Sequence, residues 1–188
     1  MKRTMLSCIL VLTLAACGSV NVQTEVGGNS DFSQLGSYGW FEMGDASLGG
    51  VRVDKPAVDS WVKASVEKQL KKKGYVKALQ GQPDFLISWF GAVETKVKVE
   101  SIDHFYSSYG YGPVASSMPI ESKGGDRSRE YKEGTILLDV LDPVSHTRLW
   151  RGSGTDRVLQ DLDEEEVALY VNRLVKNILN TFPAAKKQ

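Results

Sequence analysis

The chain has 188 residues, 41% of them hydrophobic and 24% charged, with 23 basic residues balancing 23 acidic ones. The absence of a basic excess argues against a nucleic-acid binder, and the length suits one hydrophobic core rather than several. Of its two cysteines, Cys8 and Cys17, neither lies within a predicted folded element, so the core must be stable without a disulfide.

Chain order begins with a leader. Lys2 and Arg3 form a positive n-region, and Met5 to Leu14 form an apolar stretch too short for a bilayer-spanning anchor. Leu14-Ala15-Ala16-Cys17 resembles the lipobox of bacterial lipoprotein precursors, which makes residues 1–16 a signal peptide and Cys17 a lipidation site. An ordinary signal peptide with an incidental cysteine is the alternative. Two or three acyl chains on Cys17 would make a durable anchor, since each buried methylene contributes about 0.8 kcal/mol. Without Lys2 and Arg3 the basic count falls from 23 to 21 against 23 acidic residues, a net charge of −2. Gly18 after the cysteine favours the outer membrane, with the domain facing the periplasm.

Residues 17–30 read as a lipidated amino terminus, either tether or edge strand, in which Val20 and Val22 alternate with polar residues. Fully extended, Gly18 to Ser30 would reach on the order of 45 Å at ~3.3–3.6 Å per residue. Residues 31–183 form a single α+β domain, and residues 184–188 a flexible tail. Tyr38 to Phe41 reads as a short aromatic strand. A helix follows, capped by Asp54, with Pro56 in its first turn, an inward stripe of Val58, Trp61, Val62, Ser65, Val66, Gln69 and Leu70, and Gly74 as its stop. Lys71, Lys72 and Lys73 complement the negative end of that helix, with a membrane-facing patch as the alternative.

Phe85, Ile87, Trp89, Val93, Val97 and Val99 share one parity and predict a long half-buried strand, whose opposite face turns polar through Glu94, Lys96, Lys98 and Glu100. Tyr131 to Leu141 and Arg148 to Thr155 predict an antiparallel hairpin around the turn from Asp142 to Thr147. The last helix starts with a capping box of Asp163 and Glu166 and buries Val167, Tyr170, Val171, Leu174, Ile178 and Phe182 before Pro183 ends it. The resulting fold class is α+β, an antiparallel or mixed β-sheet with two helices packed mainly on one face.

Several blocks in this order resemble a bacterial lipoprotein family carrying domain of unknown function 4136. They are the lipobox with Cys17, Asp31-Phe32-Ser33 leading to Tyr38-Gly39-Trp40, Lys73-Gly74-Tyr75, Pro83-Asp84-Phe85-Leu86-Ile87, Gly134 to Pro143 with Leu149-Trp150-Arg151-Gly152-Ser153, and Thr181-Phe182-Pro183. The segment from Ile102 to Arg129 is the least comparable. The resemblance implies export and the α+β fold, and it brings no reaction, ligand or cofactor.

Catalytic patterns are weak. Gly110-Tyr111-Gly112-Pro113-Val114-Ala115 has dinucleotide-turn spacing but lacks the helix that should follow. His104 and His146 have no second ligand at zinc-site spacing, so no metal or other cofactor is implied. No serine sits in a nucleophile elbow. Asp84, Asp139 and Asp142 could supply paired carboxylates for an anchored hydrolase acting on envelope glycan or peptide, which is the alternative function. Trp150 reads as core, and an exposed Arg151 could bind an acidic group. The preferred reading is a binding or organising module for another envelope component, protein or glycan, with no nucleic-acid partner. Its candidate contact is a tyrosine loop carrying Tyr106, Tyr109 and Tyr111, because tyrosines make large contacts at small entropic cost. A connecting loop with rings folded over the sheet is the alternative.

Overall fold

The computed structural model describes residues 20–28, 30–41, 56–92, 97–111, 130–131, 134–156 and 162–186. The leader, Cys17 and the Asp54 cap lie outside them, as do the residues after Tyr111 up to Arg129. In chain order the described elements are β1 (Asn21–Val26), β2 (Ser37–Trp40), α1 (Pro56–Lys72), β3 (Val76–Lys77), β4 (Phe85–Ala92) and β5 (Val97–Lys98). They continue with α2 (Val99–Ser108), β6 (Glu130–Tyr131), β7 (Thr135–Leu141), β8 (Arg148–Thr155) and α3 (Glu164–Asn180).

Six strands form one mixed sheet in the order β1-β8-β7-β4-β2-β3, antiparallel from β1 to β4 and parallel from β4 to β3. Strand alternation then sorts side chains onto two faces. Phe85, Ile87 and Trp89 of β4, Ile136, Leu138 and Val140 of β7, and Trp150 of β8 all point to one face. There they meet Val62, Val66 and Leu70 of α1 and Leu174, Val175 and Ile178 of α3. Burial of this set is the main source of stability, at about 25 cal/mol for each Å² of apolar surface removed from water.

The two long helices lie side by side in the same direction. Near the start of α1, Asp59 accepts a 2.9 Å hydrogen bond from Trp89 Nε1, and midway Ser65 Oγ donates to Asn172 Oδ1 at 2.8 Å. At the far end Lys73 Nζ donates to Phe182 O at 2.7 Å, and Ala185 N donates to Lys73 O at 2.9 Å. The lysine therefore satisfies a carbonyl beyond the neighbouring helix as well as lying at the end of its own. The expected capping box is present, with Glu166 N donating to Asp163 Oδ1 at 2.9 Å and Asp163 N to Glu166 Oε2 at 3.0 Å.

Three expectations are revised. The strand predicted from Phe85 to Val99 stops as a member of the large sheet at Ala92; Val97–Lys98 pairs instead with Glu130–Tyr131 in a separate two-stranded ladder. The chain then turns into α2, which the loop-like run of tyrosine, serine and glycine conceals. Ile102, Phe105, Tyr106 and Tyr109 nevertheless follow i, i+3, i+4, i+7 spacing, the signature of one helical face. Lastly, the second face of the sheet is covered too: Phe90, Leu137 and Leu141 pack with Phe41, Ile102, Phe105, Tyr106 and Tyr111. The α+β class stands, with a third helix opposite the predicted pair.

Candidate functional site

The strongest concentration of buried charge sits beneath α2. Cross-strand registry creates it: Ser88 of β4, Asp139 of β7 and Arg151 of β8 occupy one row, which continues to the exposed Glu25 of β1. Arg151 Nε donates to Asp139 Oδ1 and Arg151 Nη2 to Asp139 Oδ2, both at 2.6 Å, a two-pronged match of planar groups. Tyr106 OH donates to Asp139 Oδ2 at 2.9 Å from above. Asp139 and Tyr106 are 0% exposed and Arg151 3%.

Burial alone would push the Asp139 carboxyl up. The Arg151 charge opposes this, joined by the Arg151 hydrogen bonds, the Arg148 charge and the Tyr106 hydroxyl, and the net result lies below the usual aspartate value. For Tyr106 the dominant effect is burial, reinforced by the adjacent Asp139, and its phenol is raised well above the ordinary value. A fixed carboxylate and a firmly protonated phenol suit a structural link between helix and sheet. Proton exchange with a substrate would need at least one of them reachable from solvent.

The other sequence-predicted groups fall elsewhere. Asp84 Oδ2 accepts hydrogen bonds from Gly36 N, Ser37 N and Ser37 Oγ at 3.0, 2.8 and 2.9 Å, which ties the start of β2 to β4. Asp142 Oδ1 accepts from Val144 N and Ser145 N at 2.7 and 2.9 Å and builds the hairpin turn. Asp84, Asp139 and Asp142 thus serve three separate structural purposes. His146 stands in the same turn, its ring stacked on Tyr111 with centroids 4.3 Å apart. The His104 side chain lies outside the described set, and among the described residues no group of three histidine, cysteine, aspartate or glutamate side chains could hold a metal ion.

Arg151, considered as an exposed anion receptor, is instead inside and bound to Asp139. Trp150 is core, its ring 5.0 Å from that of Phe182. Of the tyrosine set, Tyr106 and Tyr111 turn inward around Phe41, whose ring centroid lies 5.8 and 5.0 Å from theirs. Tyr109 is half-buried, 5.6 Å from Phe41, and its hydroxyl is buried without a hydrogen-bond partner. Gly110 (φ 79°) ends α2, with Gly110 N donating to Ser107 O at 3.1 Å and Tyr111 N to Tyr106 O at 3.0 Å. This is the stop of the helix that precedes the glycine. No described helix is long and apolar enough to cross a membrane.

Comparison with known proteins places this architecture. The family model described as domain of unknown function (DUF4136) matches residues 22–184. A DUF4136 family protein of Bacteroides thetaiotaomicron superposes with a TM-score of 0.50 at 12% identity, covering 86% of this chain and 94% of that one. A PDZ domain protein of Parabacteroides distasonis gives 0.50 at 13% identity, over 88% of this chain and 36% of that one. The PelC dodecamer of Paraburkholderia phytofirmans gives 0.43 at 10% identity, over 89% of this chain and the whole of that one. No curated protein gives a significant sequence match. At these identities the two likenesses with a TM-score of 0.50 speak for the fold alone.

Proposed function

The chain belongs to the family of domain of unknown function 4136, and from that premise we propose a lipid-anchored envelope protein whose domain binds or organises another envelope component. The anchor follows from the lipobox ending at Cys17. The observation that supports the binding reading is the sealing of the Asp139–Arg151 pair: both oxygens of Asp139 are engaged by Arg151, one also by Tyr106, under a helix that leaves them no exposure. A hydrolase of glycan or peptide needs a carboxylate that its substrate can touch, and Asp139, the buried one of Asp84, Asp139 and Asp142, is closed to one.

Partner contact through the aromatic segment would fall to Tyr109, the half-buried member of the set, because Tyr106 and Tyr111 are part of the core beneath α2. Photoreactive residues at Tyr109 and at the exposed Leu79 and Val144, activated in cells, test this. A reproducible envelope protein or glycan adduct at any of the three sites is expected. Absence of adducts at all three, with a control lipoprotein captured in parallel, would count against a binding module.

A further inference from the structure

The amino-terminal stretch was expected to be tether or edge strand, and its resolution as a strand has a consequence for orientation. Asn21 pairs with Thr155, and β1 continues in register to Val26 opposite Trp150. The side chain of Val20 also packs against the core. Cys17 and Asn21 are four residue steps apart, so a lipid on Cys17 lies within at most about 14 Å of the Asn21 end at ~3.3–3.6 Å each. We propose that this short leash holds the Asn21 end of the sheet against the lipid surface and presents the opposite pole outward.

The proposal rests on the lipid-anchored reading given above, and length arguments carry it from there. Thr155, beside Asn21, and Arg148, at the hairpin-turn pole, are separated by seven strand steps, about 23 Å at ~3.3 Å each. An inverted domain would lift Asn21 roughly that far from the bilayer, beyond the ~14 Å that the leash can span. Inversion is therefore out of reach.

The lipid-facing rim can be read from the contacts. Tyr170 OH donates to Gly134 O at 3.1 Å and to Asp156 O at 3.2 Å, both on the Asn21 side of the sheet. The first residue of α3 lies six positions earlier, and at ~1.5 Å per residue its opening turn projects about 9 Å past Tyr170. Glu164, Glu165 and Glu166 in that turn are exposed. These glutamates gain nothing from anionic lipid, so attachment falls to the lipid on Cys17. At the other pole, exposed Lys68, Lys71 and Lys72 near the end of α1 face away from the lipid.

Lipidated protein in vesicles of phosphatidylethanolamine and phosphatidylcholine, carrying a headgroup nitroxide quencher, provides the test. A fluorophore is placed at Glu164→Cys or, separately, at Lys72→Cys; Glu165→Cys and Val144→Cys form a second pair should either variant fold poorly. The dye on α3 should be quenched several-fold more strongly than the dye at the far pole. Equal quenching, or stronger quenching at the far pole, overturns the orientation. Vesicle flotation of the same samples tests the anchor separately: protein that does not float refutes the anchored reading, whereas floating protein with equal quenching refutes the orientation alone.

Discussion

Arg151 shows how a residue suited to recognition becomes a fastener. A guanidinium four residues from a turn could bind an external anion, but registry sets it directly opposite Asp139 and α2 closes over both. Removing one member of a buried pair leaves the other charge uncompensated, whereas replacing both by apolar groups does not. Arg151→Met is therefore expected to lower unfolding free energy by about 3–5 kcal/mol, with most of the loss recovered in Asp139→Leu/Arg151→Met. Urea titration of the single and double variants checks this. Acid should expose the same interaction, because the folded Asp139 value lies below the ordinary 3.8. Its stabilisation is complete above that ordinary value and is lost as pH falls through the lowered one, so the acid limb of a stability-pH profile should be flatter in the double variant than in the wild type. Two neighbouring tyrosines separate structural from idle hydroxyls. Tyr106→Phe removes a hydrogen bond to a buried charge and should cost about 1.5–3 kcal/mol, whereas Tyr109→Phe removes an unpartnered hydroxyl and should be neutral or stabilising by thermal melting.

At the scale of elements, α3 approaches β8 closely at two glycines. A Cβ on Gly152 would collide with the Trp150 ring and lie 2.6 Å from Ile178 Cγ2, and one on Gly154 would lie 2.7 Å from Ile178 Cγ1. Both neighbours are packed against other core groups and have little room to yield. Gly152→Ala should therefore destabilise by about 1–3 kcal/mol through overpacking, measured by chemical denaturation, with no change expected at the exposed face of α3. Helices α1 and α3 were legible because their signals are local: Pro56, Gly74 and the Asp163–Glu166 box mark ends, and inward residues recur with helical spacing. Arg148–Thr155 was equally legible from its turn. In contrast, α2 is short, rich in serine and tyrosine, and lies after a strand whose parity runs on through Val97 and Val99. Its helical face becomes recognisable once Phe90, Leu137 and Leu141 offer it something to cover.

Across the whole molecule, two apolar layers sandwich one mixed sheet, and the amino-terminal strand extends that sheet by its edge. Hydrophobic alternation could reveal the sheet, but the identity of strand neighbours decides which charged residues meet, and that information is long-range. Asp139 and Arg151 are 12 residues apart, whereas Tyr106 reaches Asp139 across 33 and Asp84 holds Ser37 across 47. The buried polar row was invisible for this reason, while Asp142 was placed correctly in a turn by its immediate neighbours. Docking of β1 also limits the distance between the proposed anchor and the domain, which links the fold to the proposed envelope role. Lipid attachment through Cys17 is tested by membrane fractionation of wild type and Cys17→Ser, with the mass of the amino-terminal peptide determined for each. Wild-type protein should remain in the membrane after salt washing, with an acylated peptide beginning at Cys17, and the variant should lose both properties. An unmodified Cys17 peptide from membrane-bound wild type, or a variant that stays equally membrane-bound, would rule out lipid attachment through Cys17.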